Sequence, residues 1–183
     1  MQFRATKIAN VFVIELDVQR DDRGFFGRGF CRDEFERQGL ATTVVQINNS
    51  LSRSAGTLRG LHYQVAPMGE AKLVRCIRGS AYDVAVDLRE GSTTFGQWFG
   101  TKLTAENRCM MYVPEGCAHG FLTLADDTEM LYLTSAPYSA PHERIVRWND
   151  SRFGITWPRV PTIMSEKDKS AKDFSPENHA SGY

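Results

Sequence analysis

Within Thr57–Leu88 (TLRGLHYQVAPMGEAKLVRCIRGSAYDVAVDL) four chemically capable side chains interrupt apolar, β-like sequence: Arg59, His62, Lys72 and Asp83. Buried charge is expensive unless it is paired or used, so the cluster calls for an explanation. His62 suits a general base, because its reference pKa of ~6.5 lies near working pH. Regular alternation would put Arg59 and Leu61 on one strand face, with Gly60 and His62 on the other. The same rule sets Asp83 and Asp87 opposite Tyr82, Val84, Val86 and Leu88. Each residue also has a plainer reading. His62 could be a hydrogen-bonded core histidine, Lys72 and Arg59 charges on a barrel rim, and Asp83 a carboxylate paired with a neighbouring cation.

The elements that must position these groups read as short strands. Val11–Leu16 is the first, followed by a polar turn at Arg20–Gly24. Cys31–Gln38 forms one short helix, with Gly39 as its stop signal. Thr42–Asn48 is β-branched and reads as a strand, and Asn49–Gly56 as a loop. Gly91–Thr94 is a turn before a strand at Phe95–Thr104. Met110–Val113 runs into the turn Pro114-Glu115-Gly116. Ala118–Leu124 and Glu129–Thr134 read as a hairpin across Ala125-Asp126-Asp127. Ser165 caps a helical turn through Asp168. From about residue 170 the tail is polar, and its last residues (SPENHASGY) are expected to be disordered. Many short strands with few helices predict an all-β barrel or jelly roll in a single domain spanning 1–183.

Composition narrows the function. The chain has 183 residues, with Lys+Arg and Asp+Glu both 22, so the formal charge is zero. That argues against a broad nucleic-acid surface. The opening MQFRATKIANVFVIEL has only a short apolar run, broken by Glu15, and reads as no signal peptide. No window approaches membrane-spanning length. Cys31, Cys76, Cys109 and Cys117 show no CxxC spacing and are expected to be reduced and mostly buried, in a cytoplasmic protein. Cys76 and Cys117 are assigned no function. Phe25, Phe26, Trp98, Trp148 and Trp157 are read as core or dimer-interface aromatics.

The segments DDRGFF (Asp21–Phe26), QINNS (Gln46–Ser50), GTLRGLHYQ (Gly56–Gln64), KLVRCIRG (Lys72–Gly79), DVAVDLR (Asp83–Arg89), VPEGCAHGF (Val113–Phe121), WND (Trp148–Asp150), ITWP (Ile155–Pro158) and SEKD (Ser165–Asp168) occur in one order. Together, from about Val11 to Asp168, they resemble the dTDP-4-dehydrorhamnose 3,5-epimerase family of deoxysugar biosynthesis. The resemblance implies a cupin-type jelly roll (a double-stranded β-helix) with short peripheral helices, a homodimer, no cofactor and no metal. It implies a nucleotide-diphosphate sugar as substrate, a 4-keto-6-deoxyhexose epimerised at carbon 3, carbon 5 or both.

A 4-keto group acidifies the hydrogens on both neighbouring carbons, because the carbanion left behind is an enolate. Epimerisation needs a base on one face, a charge stabiliser at the oxygen and an acid on the other face. By the resemblance, His62 is the base, Asp168 its partner, Lys72 the cation at the enolate oxygen and Tyr132 the acid. Arg23 and Arg59 correspond to residues that hold the diphosphate. Gln46 and Asn48 fall where the nucleotide is contacted and Tyr138 where an aromatic packs near it, Phe26 and Lys167 are further substrate-binding positions, and Asp83 and His119 match positions lining the sugar pocket. Many members carry an acidic residue where this chain has Arg28, at the thymine edge. An arginine only donates hydrogen bonds, so a base richer in acceptors, such as cytosine or guanine, is also open. Without the resemblance Asp168 reads as solvated surface, Tyr132 as a strand aromatic, and His119 as packing beside the Pro-Glu-Gly turn.

Three other readings compete. A single-carbon epimerase of a CDP- or GDP-linked sugar would use the same groups. A metal-dependent cupin is suggested by Pro114-x-Gly116-x-x-His119, but the first metal motif wants His-x-His followed by Glu. Here that region is His62-Tyr63-Gln64, and Gln with Lys72 makes a poor divalent-metal set. A non-catalytic sugar-nucleotide binder would keep the arginines and could dispense with His62, Asp168 and Tyr132.

Overall fold

The computed structural model describes the backbone of residues 1–179 and the side chains of residues 1–177. Its first strands are β1 (Gln2–Ala5), β2 (Phe12–Glu15), β3 (Val18–Asp21) and β4 (Gly24–Gly27), followed by helix α1 (Arg32–Arg37). Then come β5 (Gln46–Ser52), β6 (Leu58–Gln64), β7 (Lys72–Arg78), β8 (Ser80–Asp87), β9 (Trp98–Thr104), β10 (Met110–Val113), β11 (Cys117–Thr123), β12 (Thr128–Thr134) and β13 (Glu143–Ile145). Two short helices, α2 (Glu166–Lys169) and α3 (Pro176–His179), end the described chain. The segment expected to be disordered thus carries one helical turn, and Phe174 just before it packs edge-on against Phe153. Residues 180–183 lie outside the described residues. None of the described helices is long and apolar enough to cross a membrane.

The strands form a six-stranded sheet, β1-β2-β10-β7-β12-β5, and a five-stranded sheet, β13-β6-β11-β8-β9, with β3-β4 as a separate hairpin. Every strand pair is antiparallel. This is the expected all-β jelly roll. Its central core draws Val74, Cys76, Met111 and Met130 from one sheet and Ala81, Ala85, Leu103 and Phe121 from the other. Outside the five-stranded sheet Val84, Val86 and Leu61 pack under Val146, Phe153 and Trp157. Outside the six-stranded sheet Leu73, Met110 and Tyr112 pack under Phe35 of α1. The alternation along β8 holds: Ala81 and Ala85 face the central core, while Val84 and Val86 face the outer layer. Period-2 patterning with apolar residues on both faces is what a covered sheet requires.

Four local expectations change. The proposed hairpin between Ala118–Leu124 and Glu129–Thr134 is instead a crossing between sheets. β11 already has β6 and β8 on its two edges, so β12 lies in the other sheet between β5 and β7. The strand expected at Thr42–Asn48 begins at Gln46 and runs on through Ser52, and the loop expected from Asn49 shrinks accordingly. Pairing with β12 sets those bounds, overriding the β-branched composition of Thr42–Val45. Phe95–Gln97 is a run of tight turns rather than strand, with the Gly96 amide donating to the Asp87 carbonyl. The fourth change bears on the site. His119 pairs with His62 and Phe121 with Arg59, so two residues of β6 stand opposite one of β11. This bulge breaks the alternation and brings Arg59 and His62 to the same interior, contrary to the regular-strand reading. Glycine is needed on both sides of it: a Cβ on Gly60 would lie 2.6 Å from the Gly120 Cα.

Candidate active site

The bulge opens one end of the barrel into a cavity of about 450 Å³, lined among others by Arg59, His62, Lys72, His119, Tyr132 and Asp168. Lys72 and Tyr132 stand on the inward face of the six-stranded sheet, where Tyr132 pairs with Val74 and Thr134 with Lys72. His62 and His119 stand on the five-stranded sheet opposite. Asp168 comes from α2, which Ser165 caps as expected by accepting the Asp168 amide at 3.1 Å.

The His62 Nε2 to Asp168 Oδ1 distance is 2.6 Å. Burial pushes the Asp168 carboxyl up, but the facing imidazole, the Ser165 hydroxyl and the Gly60 amide together hold it below its ordinary value. An ionised carboxylate only accepts, so the shared proton belongs to Nε2, and the lone pair of the neutral ring lies on Nδ1. The side chain of His62 is 31% exposed while that of Asp168 is 4% exposed, a buried orienting group behind an accessible ring.

Lys72 Nζ reaches the His62 carbonyl at 3.3 Å and Glu70 Oε1 at 3.0 Å. An ammonium has three donors and the His62 carbonyl takes one, so donor capacity remains for a ligand. Burial, and next the charge of Glu70, raise the Tyr132 phenol above its ordinary value, while Arg59 opposes them. Tyr132 is therefore protonated at neutral pH. Arg59 of β6 is braced by the end of β5 in the other sheet, donating to Ser52 Oγ at 3.2 Å and to the Leu51 carbonyl at 3.1 Å.

An annex of about 90 Å³ adjoins this cavity and shares His62, Lys72 and Tyr132 with it. Gln46, Asn48, Tyr138 and Glu143 line its walls. The Tyr138 hydroxyl donates to Glu143 Oε2 at 2.9 Å, and Lys167 pairs with the same carboxylate oxygen. Gln46 Oε1 accepts the Tyr138 amide at 2.7 Å.

The remaining candidates are distributed differently. Asp83 does not line the cavity as expected; it is fully buried behind His119, whose Nε2 lies 2.9 Å from its Oδ1. Arg23, Phe26 and Arg28 are not brought to this cavity. Arg23 is 90% exposed and pairs with Asp21 on the β3-β4 hairpin. Phe26 is 68% exposed, and Arg28 lies 3.3 Å from Glu34. Conversely, sequence reading missed Glu70 and Glu143. Glu70 was detectable from the Glu70-x-Lys72 spacing, which sets two side chains on one face of an extended segment. Glu143 carries no comparable local signal. Gln64, where a metal cupin wants histidine, donates to the Met68 and Pro137 carbonyls and accepts the Ser139 amide. Its amide is fully committed to backbone, which does not fit a ligand role.

Comparison with known proteins bears on the chain as a whole. The family profile described as dTDP-4-dehydrorhamnose 3,5-epimerase matches residues 5–176. The chain is 46% identical over 171 residues to the dTDP-4-dehydrorhamnose 3,5-epimerase of Sinorhizobium fredii, covering 93% of this chain and 88% of that one. It superposes on the crystal structure of dTDP-4-dehydrorhamnose 3,5-epimerase from Elizabethkingia anophelis with a TM-score of 0.94 at 41% identity, covering 97% and 98% of the two chains. A Legionella pneumophila dTDP-6-deoxy-D-glucose-3,5-epimerase solved in complex with dTDP-4-keto-L-rhamnose gives a TM-score of 0.88 at 37% identity, covering 94% and 92%.

Proposed function

Since the chain belongs to the dTDP-4-dehydrorhamnose 3,5-epimerase family, we propose that the barrel cavity inverts carbons 3 and 5 of dTDP-4-dehydro-6-deoxyglucose to give dTDP-4-dehydrorhamnose. The observation that carries this reading is the single cavity holding His62 of one sheet, backed by Asp168 of α2, and facing Lys72 and Tyr132 of the other sheet.

His62 Nδ1 takes the proton from the carbon beside the ketone. The C–H electron pair becomes the C=C bond of an enolate, and the carbonyl electrons move to oxygen. Asp168 stabilises the imidazolium formed, and the uncommitted Lys72 N–H faces the new oxyanion. Tyr132 then gives its O–H proton to the carbon from the opposite wall, so the configuration inverts. Water returns a proton to the tyrosinate and removes one from the imidazolium. Carbons 3 and 5 flank the same carbonyl, so one set of groups serves both. Each positioned proton-transfer group is worth ~10²–10⁴ in rate.

Arg59 holds the diphosphate as a guanidinium fork. The annex, with Gln46, Asn48, Tyr138 and Lys167 beside Glu143, holds the nucleoside. Arg23, Phe26 and Arg28 act from a second copy in a homodimer. In support, none of the three lines the cavity of its own chain, and Ile47, Leu51 and Ile77 are exposed apolar residues on the six-stranded sheet. The four free thiols suit a cytoplasmic setting. Arg28 favours a second reading for the base alone, since a guanidinium cannot accept the thymine N–H.

Proton NMR in heavy water tests both. Supplied with the thymidine-linked 4-keto-6-deoxyglucose, the protein should wash deuterium into carbons 3 and 5 and yield the rhamno product. No label at either carbon would remove the reading. Faster exchange with the cytidine- or guanosine-linked sugar would transfer it to the other base.

A further inference from the structure

We propose that Glu70 is a positioning residue for the enolisation, holding the Lys72 ammonium on the ketone oxygen and keeping the proton on Tyr132 until the carbanion has formed. This rests on the reading of His62, Lys72 and Tyr132 given above and extends it to a carboxylate outside the proton-transfer set.

The geometry is specific. Glu70 Oε1 lies 3.0 Å from Lys72 Nζ, and each of the two side chains is only 10% exposed. The His62 carbonyl takes one ammonium donor at 3.3 Å, so the ammonium is anchored at two points, by that bond and by the ion pair with Glu70. The backbone beneath Glu70 is itself clamped. Ala71 donates to Ser135 Oγ at 2.8 Å and accepts the Ser135 amide at 3.0 Å. Gly69 lies directly under the Glu115 carboxylate, where a Cβ would collide at 1.9 Å. A surface ion pair would have neither this burial nor this bracing.

Glu70 and Tyr132 line the same annex. Of the charged groups facing Tyr132, Arg59 on β6 favours losing its proton and Glu70 favours keeping it, second only to burial. The other carboxylates around the site are matched elsewhere: Asp168 with His62 and Glu143 with Lys167. His119 is matched with Asp83. Glu70 is therefore the carboxylate that acts on the ammonium and the phenol together.

The test compares Glu70→Gln and Glu70→Asp with wild type in the heavy-water assay, across pH. Glu70→Gln keeps the shape and removes the charge. We expect kcat to fall about tenfold with KM within about twofold, because the neutral ketone draws little from the ammonium before charge develops. The alkaline limb of the profile should move to lower pH, since Tyr132 then loses its proton more readily. Glu70→Asp, which retains the charge, should return the limb toward wild type. In a Lys72→Met background Glu70→Gln should add little further loss of kcat, as expected for coupled groups. Wild-type kcat and an unmoved limb in Glu70→Gln would overturn the assignment. So would a fall in kcat with an unmoved limb and no recovery in Glu70→Asp, which would mark Glu70 as structural only. Wild-type protein that washes in no deuterium would overturn this and the enolisation reading together.

Discussion

Two histidine–carboxylate pairs sit side by side in the barrel, with His62 and His119 directly opposed on neighbouring strands. Their bond lengths are similar, 2.6 and 2.9 Å, yet their settings differ. The His62 side chain is 31% exposed and that of His119 is 9% exposed. Asp168 arrives on a four-residue helix appended to the barrel, whereas Asp83 is part of β8, held between β11 and β9 in the five-stranded sheet. One oxygen of Asp83 is buried without a hydrogen-bond partner, while Asp168 is held ionised by its surroundings. The difference separates two uses of one chemical pair. A base that must meet substrate needs an open ring nitrogen and a carboxylate that keeps its charge. A pair that shapes the wall needs burial, and its removal disturbs the sheet.

Substitutions should separate the two uses by size of effect. The largest is expected for His62→Ala and Asp168→Ala, which should lower deuterium exchange at both carbons by ~10³, within the range for a positioned proton-transfer group. Thermal melting of His62→Ala should change little, because the ring is partly exposed. Next comes Tyr132→Phe, which should lower product formation by roughly 10² while exchange at the His62 face persists, since the base is intact and only the returning acid is gone. NMR of recovered substrate would show label without inversion.

A third carboxylate, Asp87, marks the purely structural limit. It is fully buried and takes hydrogen bonds from Arg89, Ser92 and Thr94. Burial alone would raise its pKa, but these donors bring it from 3.8 down to about 2. Because the folded value is the lower one, the stabilisation is complete above about pH 4 and is lost as pH falls through 2. It amounts to ~2 kcal/mol at neutral pH. Denaturant titrations of Asp87→Asn should show that loss at pH 7 and a flatter dependence between pH 4 and 2, with exchange activity unchanged. The smallest effect is expected for Asp83→Asn. Its carbonyl still accepts from His119, so stability should fall by ~1 kcal/mol and exchange by less than tenfold.

The same contrast explains what the sequence revealed. Alternation along β8 and the turn at Pro114-Glu115-Gly116 are local properties, and both hold. The jelly roll follows from many such strands. The meeting of Arg59 with His62 is not local. It depends on a bulge made where Gly60 packs against Gly120, 60 residues along the chain, and strand periodicity alone predicts the reverse. Asp168 had no signal of its own in a charged tail; only the motif order of the family pointed to it. The partition of β11 and β12 into separate sheets was hidden for a similar reason, since a short polar turn between two apolar runs looks the same whether the strands pair or part. Glu70 stood two residues from Lys72 in plain view, and its meaning came from the bracing around it.

The central claim is that the His62 ring removes a proton beside the ketone while Lys72 faces the oxygen. The most direct measurement is the rate of deuterium incorporation at carbons 3 and 5 by wild type, His62→Ala and Lys72→Met, read by NMR on one thymidine-linked 4-keto-6-deoxy sugar. The account predicts label at both carbons in wild type, a loss of ~10³ in rate in His62→Ala and a loss of ~10² in Lys72→Met. Exchange by His62→Ala at the wild-type rate would contradict it.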